Sequence, residues 1–367
     1  MSARFLTAVS GRAFNMRDRF GREIDYMRIS VIDSCNLNCY YCNPQDNNKN
    51  CQAINILSVK KVLCIVRAAT RLGITHFRLT GGEPLLHPQI DEMVSQIKKI
   101  PGVRSVSLTT NAVLLAQHAK QLKEAGIDSI NVSLDTIDAS EYEYITKKPL
   151  LDKVEHGIDA AIECGIRVKI NAVLTPQTDV VALTRYASKK GTDIRFIEMM
   201  PVGEGHTNGV EPYKKVIGAL LEVYGTPCHI DTENREEINS GYNNADNGPA
   251  EYYSFHGLNI RVGLIQAIHG KFCDTCNRIR VTADGRLMPC LGSSVTMDLV
   301  PDSCEFTDDL EKDFVIAQAL KAAIKAKPGC HNFNDNAVTY TKTTETKTTE
   351  IEAAEVNAAR NMSRIGG

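Results

Sequence analysis

The chain has 367 residues, 43% hydrophobic and 23% charged, with a formal net charge of −2. That is long enough for one large domain or two average ones. It is too evenly charged for a general nucleic-acid binder, and no apolar run approaches the roughly 18 residues of a membrane helix. Twelve cysteines and no tryptophan are the unusual counts. A disulfide framework belongs to small secreted chains, whereas this chain is large and Met1 to Phe14 carry no apolar signal core. Arg4, Arg12, Arg17, Arg19 and Arg22 are interrupted by Asp18 and followed by Glu23 and Asp25, unlike an acid-poor organelle leader. A reducing cytoplasm is expected, where cysteine groups hold metal or do chemistry.

Short β-branched runs alternate with helical patterns from residue 27 to 225. Strands are predicted at 27–33, 75–80, 103–109, 128–134, 168–174 and 193–199. The helices between them show spacings of three and four, as in Leu151, Val154, Ile158, Ala161 and Ile162. Most end at a glycine before the next strand (Gly73, Gly126, Gly165, Gly191, Gly225), which reads as a left-handed helix stop. Such βα units imply a parallel sheet curling into a partial or full barrel; a doubly wound open sheet has the same periodicity. Past Gly225, residues 231–249 are polar and read as loop. Two strands at 277–282 and 286–291 flank Ala283-Asp284-Gly285, a tight-turn signal. Residues 308–327 look helical, and TKTTE then occurs twice in tandem at 341–350, a low-complexity linker.

Cys35, Cys39 and Cys42 form CxxxCxxC directly after the first strand. Structural zinc needs four closed ligands, with Cys51 a possible fourth. Three thiolates on a [4Fe–4S] cluster instead leave one iron open to a small molecule. The second strand runs into Thr80-Gly81-Gly82-Glu83-Pro84, where paired glycines allow close backbone approach. Cys273, Cys276 and Cys290 form a second set of three, brought together by the hairpin; His269 or Cys304 keeps a zinc reading open there. Arg278 and Arg280 share one strand face beside it, a fork pair suited to phosphate.

The array Cys35–Cys42 with Tyr41, followed by GGEP, resembles the radical S-adenosylmethionine (SAM) superfamily. The segment FCDTCNRIRVTADGRLMPCL at 272–291, with residues 17–225 and the terminal 364–367, resembles the GTP 3′,8-cyclase family within it. The resemblance implies a partial (βα)6 TIM-type α/β barrel of the radical SAM class with a smaller C-terminal cluster-binding extension. The divisions are an N-terminal extension (1–16), the barrel (17–225), a [4Fe–4S] GTP-binding region (226–335), a flexible linker (336–360) and a Gly-Gly tail (361–367).

It further implies two [4Fe–4S] clusters, on Cys35, Cys39 and Cys42 and on Cys273, Cys276 and Cys290. SAM would contact Tyr41, Gly82, Ser133 and Met200. GTP would contact Arg28, Arg78, Thr109, Lys169, Arg195, Arg278, Ile279 and Arg280. Arg280, Gly366 and Gly367 would be needed for turnover. In the family, the first cluster gives SAM an electron, the resulting 5′-deoxyadenosyl radical takes the ribose C3′ hydrogen of GTP, and C3′ joins C8, the first step of molybdenum cofactor biosynthesis. The expected setting is cytoplasmic, as a homodimer with an external one-electron donor and no nucleic acid or membrane partner. The product would pass to cyclic pyranopterin monophosphate synthase. The chain departs from the family pattern at Ser34, Asn43, Gln266-Ala267 and Gly292, none a proposed cluster ligand. A peptide-modifying radical SAM enzyme and a non-enzymatic zinc protein are the rival readings.

Overall fold

A computed structural model describes residues 16–42, 54–202, 210–230, 248–293, 295–299, 309–331 and 333. Residues 1–15 of the N-terminal extension, most of the predicted 231–249 loop, the 336–360 linker, the tail with Gly366 and Gly367, and Cys51 and Cys304 lie outside the described residues.

Six strands recur where the sequence predicts them: β1 (Tyr26–Ser30), β2 (His76–Thr80), β3 (Ser105–Thr110), β4 (Ser129–Ser133), β5 (Arg167–Val173) and β6 (Asp193–Ile197). The helices between them are α1 (Val59–Thr70), α2 (Ile90–Lys98), α3 (Leu115–Glu124), α4 (Ala139–Thr146), α5 (Leu151–Glu163) and α6 (Val180–Lys190). Local chemistry starts several of them. Ser58, Asp138 and Asp179 cap α1, α4 and α6, their side-chain oxygens accepting from the backbone N–H of Lys61, Glu141 and Ala182 at 3.3, 2.8 and 2.9 Å. Gly191 stops α6 with φ 66° and ψ 30°, the predicted left-handed cap. Gly225 differs: its φ of 77° is paired with ψ −165°, an extended left-side conformation rather than a helical stop. The chain there turns straight into a strand.

Strands β1 to β6 lie side by side in sequence order and are parallel. A doubly wound sheet would reverse its order at a switch point, so the strand order selects the barrel winding over that alternative. After α7 (Pro212–Tyr224), the chain adds β7 (Cys228–Ile230), β8 (Glu251–Ser254) and β9 (Val262–Ile265), then β10 (Arg278–Val281), β11 (Arg286–Met288), β12 (Met297–Asp298) and α8 (Asp309–Lys325). The complete order is β12-β11-β10-β1-β2-β3-β4-β5-β6-β9-β8-β7. Thus β10 extends the barrel sheet parallel to β1, and β9 extends it parallel to β6. The sheet is a partial barrel and stays open between its antiparallel edges. The residues after 225 build both of its flanks instead of a separate sheet.

Side chains alternate along the strands as the pleat requires. Met27, Ile29, Phe77, Leu79, Val106, Leu108, Ile130 and Val132 belong to the core between sheet and helices. Arg28, Arg78, Thr109 and Asn131, at intervening positions, face the concave side. Cys64 is fully buried in the outer core, as its helical position predicts, and Cys164 packs against that core. No helix among the described residues is long and apolar enough to cross a membrane.

Helix α8 docks on α1 through Asp313, which is 1% exposed. Its carboxylate accepts from Arg67 Nε and Nη2 at 2.9 and 3.1 Å and from Arg71 Nη2 at 3.4 Å. Asp313→Ala is expected to lower unfolding stability by about 1–3 kcal/mol, because charge-assisted bonds are lost while the partly exposed Arg67 can turn to water. Urea denaturation checks this.

Candidate active site

The concave face encloses a cavity of about 610 Å³ bordered by both cysteine sets. The first set sits on the loop leaving β1. Gly82 N–H donates to Ile32 O and Glu83 N–H to Ser34 O, each at 2.8 Å, so the GGEP loop is zipped to the segment that enters Cys35. A Cβ on Gly82 would lie 2.2 Å from Ser34 O, and only hydrogen fits there. Gly82→Ala is accordingly expected to force these loops apart, with about 1–3 kcal/mol lost by overpacking. Reduced iron incorporation at the first set, beside a lowered urea midpoint, is the measurement.

Other groups hold this loop in place. Asn38 and Tyr40 donate their N–H groups to Thr146 O and Ile145 O at the end of α4, at 3.0 and 3.2 Å. The Tyr41 hydroxyl donates a hydrogen bond to Asp135, which also accepts from Val173 N–H at 2.8 Å. Asn111 Nδ2 lies 3.8 Å from Cys35 Sγ and donates to Asn36 at 2.7 Å. Glu83 accepts from Leu85 N–H, Thr110 Oγ1 and Asn111 N–H at 2.9, 2.7 and 2.7 Å. Burial pushes its carboxyl up to about 7, and that of Asp135 to about 6. Burial likewise pushes Cys35 up to about 11 and Cys42 to about 12, with Cys39 also raised. The first set is therefore flanked by acidic groups.

The second set stands on the hairpin. Cys273 opens a 3-10 turn, Cys276 N–H donates to Cys273 O at 3.2 Å, and Cys290 follows β11. The predicted turn is present: Arg280 pairs with Met288, and Gly285 N–H donates to Thr282 O at 2.9 Å. Cys276 behaves unlike the first set. Burial raises its pKa, but Arg278 and Lys327 overcome this and bring it down to about 7. The exposed Cys330 lies within hydrogen-bond reach of Cys273, a neighbour that the sequence does not announce. His269, the candidate zinc ligand, directs Nδ1 to Glu198 and stays out of the cavity wall.

Arg28, Arg78, Arg195, Arg278, Arg280 and Lys327 line the same cavity, with Asp33, Asp135 and Glu198 as carboxylates. Those carboxylates are engaged by Asn55, by Tyr41 and Val173, and by the segment at 268–269. Arg78 donates to Tyr26 and, at 3.4 Å, to Thr109; Arg195 donates to Asn171 at 2.9 Å. Arg195 fits because Gly263 on the neighbouring β9 has no side chain: a Cβ there would lie 2.8 Å from Arg195 Cγ. Enclosure, then the nearby Arg280, pushes Arg28 well below the usual arginine range. Arg280 is pushed down to about 10 by burial and by Arg278. Cations held together under desolvation favour an anion between them.

Tyr41, Gly82, Ser133, Met200, Thr109 and all six cluster cysteines border the cavity. Two predicted contacts are placed elsewhere. Ile279 is 1% exposed and belongs to the outer core, since the pleat turns it away from Arg278 and Arg280. Lys169 is 1% exposed and outside the cavity wall, deep in the strand layer. Asp135, Asn111, Asn131, Asn171 and Lys327 are wall residues the sequence reading missed. A polar residue at every second position of a buried strand was the available signal for Asn131 and Asn171.

Among the described residues no group of three or more His, Cys, Asp or Glu side chains is set to hold one metal ion. A [4Fe–4S] cluster makes a different demand, since each thiolate binds its own iron and the sulfurs stand further apart. Three free cysteines on one loop, around a cavity closed on one side by glycine backbone, fit that group in donor chemistry and number.

Residues 29–183 match the family model of the radical SAM superfamily, and residues 192–333 match that of Molybdenum Cofactor Synthesis C. The GTP 3′,8-cyclase of Clostridium perfringens (strain SM101 / Type A) is 36% identical over 321 residues, covering 87% of this chain and 95% of that protein. The GTP 3′,8-cyclase of Listeria monocytogenes serovar 1/2a is 36% identical over 320 residues, covering 86% and 92%. The crystal structure of Streptococcus suis SuiB bound to S-adenosylmethionine has the same fold, with a TM-score of 0.55 at 16% identity over 81% of this chain; the chain spans 65% of that one, just under two thirds. With that fold, these motifs and this identity over nearly the whole length of its relatives, the chain belongs to the GTP 3′,8-cyclase family of the radical SAM superfamily.

Proposed function

We propose that the chain converts GTP to (8S)-3′,8-cyclo-7,8-dihydroguanosine 5′-triphosphate, the first step of molybdenum cofactor biosynthesis. The observation that carries this reading is one cavity bordered by two three-cysteine sets and six cationic side chains. Family membership implies SAM and a [4Fe–4S] cluster, which Cys35, Cys39 and Cys42 would hold. When bound, that cluster supplies the electron that splits SAM into methionine and the 5′-deoxyadenosyl radical that takes the C3′ hydrogen. Cys273, Cys276 and Cys290 would hold a second [4Fe–4S] cluster, which would supply an iron site for binding the guanine base.

The chain's own residues bind, orient and exclude. Tyr41, Gly82, Ser133 and Met200 hold SAM, with Gly82 keeping its loop packed against the segment that enters Cys35. Arg28, Arg78, Arg195, Arg278 and Arg280 clamp the triphosphate, whose roughly four negative charges match their clustering. Thr109 shares the substrate side of the wall, Lys169 acts through its charge from deeper on the same concave face, and Ile279 acts through its backbone from the outer face. Residues 17–225 serve as the radical-generating barrel and 226–335 as the substrate region. The 1–16 extension, the 336–360 linker and the 361–367 tail are read as separate segments, with Gly366 and Gly367 of the tail needed for turnover. An external one-electron donor, a cytoplasmic homodimer and hand-over of product to cyclic pyranopterin monophosphate synthase complete the reading.

The test is anaerobic incubation with SAM, a reductant and GTP. Formation of 5′-deoxyadenosine together with the cyclised nucleotide is expected. If 5′-deoxyadenosine forms only when a peptide replaces GTP, the chain is instead a peptide-modifying enzyme.

A further inference from the structure

Lys327 is a buried lysine, 2% exposed, at the edge of the second cysteine set. Its ammonium donates to Arg278 O at 2.9 Å and Pro289 O at 3.0 Å, and lies 3.4 Å from Cys276 Sγ. An ammonium has three protons, and these are three acceptors. Arg278 follows Cys276 by two residues and Pro289 immediately precedes Cys290, so one cation ties both arms of the ligand hairpin. Neither α8 nor the hairpin brings Lys327 there alone. Lys327 N–H still donates to Ile324 O at 3.2 Å, as the end of the helix, and the next two carbonyls are seized by Arg22. Arg22 donates to Pro328 O and Gly329 O at 2.6 and 3.0 Å and to Cys273 O at 2.6 Å, with Asp18 balancing its charge. The end of α8 is thereby clamped to the cysteine turn, and Lys327 is delivered to the sulfur.

The two sets differ in their surroundings. Asp135 and Glu83 stand near the first, with Asn111 as a side-chain donor toward Cys35. Lys327, Arg278 and Arg280 stand around the second. Hydrogen bonds to the sulfurs and local charge are what the protein uses to set a cluster's potential. Positive charge stabilises the reduced cluster, which carries one more electron.

We propose that Lys327 is a positioning residue of the second cluster, tying its ligand hairpin and raising its reduction potential through the Cys276 sulfur. This rests on the second cluster of the proposed function. A single charge a few ångströms away still interacts strongly at the intermediate effective dielectric of a protein interior, so the effect is large enough to measure.

The experiment is an anaerobic redox titration followed by electron paramagnetic resonance. It uses the fully loaded wild type, Lys327→Met and Lys327→Arg, with iron and sulfide counted first. In Lys327→Met the reduced-to-oxidised ratio of the second cluster at fixed potential should fall at least about tenfold, or about 59 mV for one electron. The first cluster should not move, and Lys327→Arg should fall by much less. An unchanged second-cluster potential in loaded Lys327→Met overturns the proposal. Should Lys327→Met fail to load, wild type labelled with ¹⁵N-lysine decides. A nitrogen coupling is expected on the second cluster and none on the first, and its absence from the second overturns the proposal. Wild type with about four irons and one cluster signal overturns the two-cluster reading itself, and the tuning role with it.

Discussion

Cys39→Ser is expected to abolish SAM cleavage while leaving about half the iron, near four of eight per chain, on the second set. Serine is nearly isosteric but a poor iron ligand, so the radical chemistry carried by the cofactor disappears, a fall on the order of 10³-fold or more in 5′-deoxyadenosine formation. The barrel should survive. Cys39 only packs against the margin of the core, and its loop retains the bonds from Asn38 and Tyr40 to the end of α4. The same substitution at Cys276 should give the complementary result: half the iron again, SAM cleavage retained in uncoupled form, and no cyclised nucleotide. Iron analysis and chromatography of both products distinguish the two. Equal loss of all iron in both variants would mean that the sets are not independent sites.

Arg280→Ala should lower kcat/KM for GTP by on the order of 10²–10³ with both clusters intact, as expected when one partner of an enclosed charge-assisted contact is truncated. Its stability effect should be much smaller. Arg280 is paired in register with Arg28, and Arg278 lies two residues away on the same strand. In the absence of an anion Arg280 depresses the charged state of Arg28, and Arg278 that of Arg280, so removing Arg280 relieves repulsion as well as removing contacts. Steady-state kinetics beside a urea titration checks the split. A stability loss matching the activity loss would assign Arg280 a structural role instead.

Much of the fold was legible because its signals are local. The spacing of three and four in α5, the helix-stop glycine Gly191 and the Asp284-Gly285 turn each act within a few residues. The first six strands come out within two residues of their predicted bounds at most ends. Of the later strands, β10 and β11 were legible on either side of the predicted turn, whereas β7, β8, β9 and β12 were not. Strand β9 carries Gly263 within its four residues, a glycine whose missing side chain makes room for Arg195 on the neighbouring strand. Strands β7 and β8 are three and four residues long, too short for a period to declare itself. Gly225 read as a helix stop because a glycine's identity reports a positive φ without its ψ.

The sequence alone determined the two cysteine sets, the GGEP turn and the Arg278–Arg280 pair, since ligand spacing and strand alternation are short-range properties that survive any arrangement of the rest. It could not separate a barrel from a doubly wound sheet, because strand periodicity says nothing of strand order. Tertiary structure decided that order, and with it which alternate polar residues share one cavity. It turned Ile279 into the core, set Lys169 deep on the concave face below the cavity, and joined Tyr41 to Asp135 across 94 residues and Lys327 to Cys276 across 51. Those contacts arise only when the sheet curls and α8 folds back. The physical reason is that a buried charge is placed by whatever distant groups can satisfy it, and the identity of those groups is a property of the closed fold.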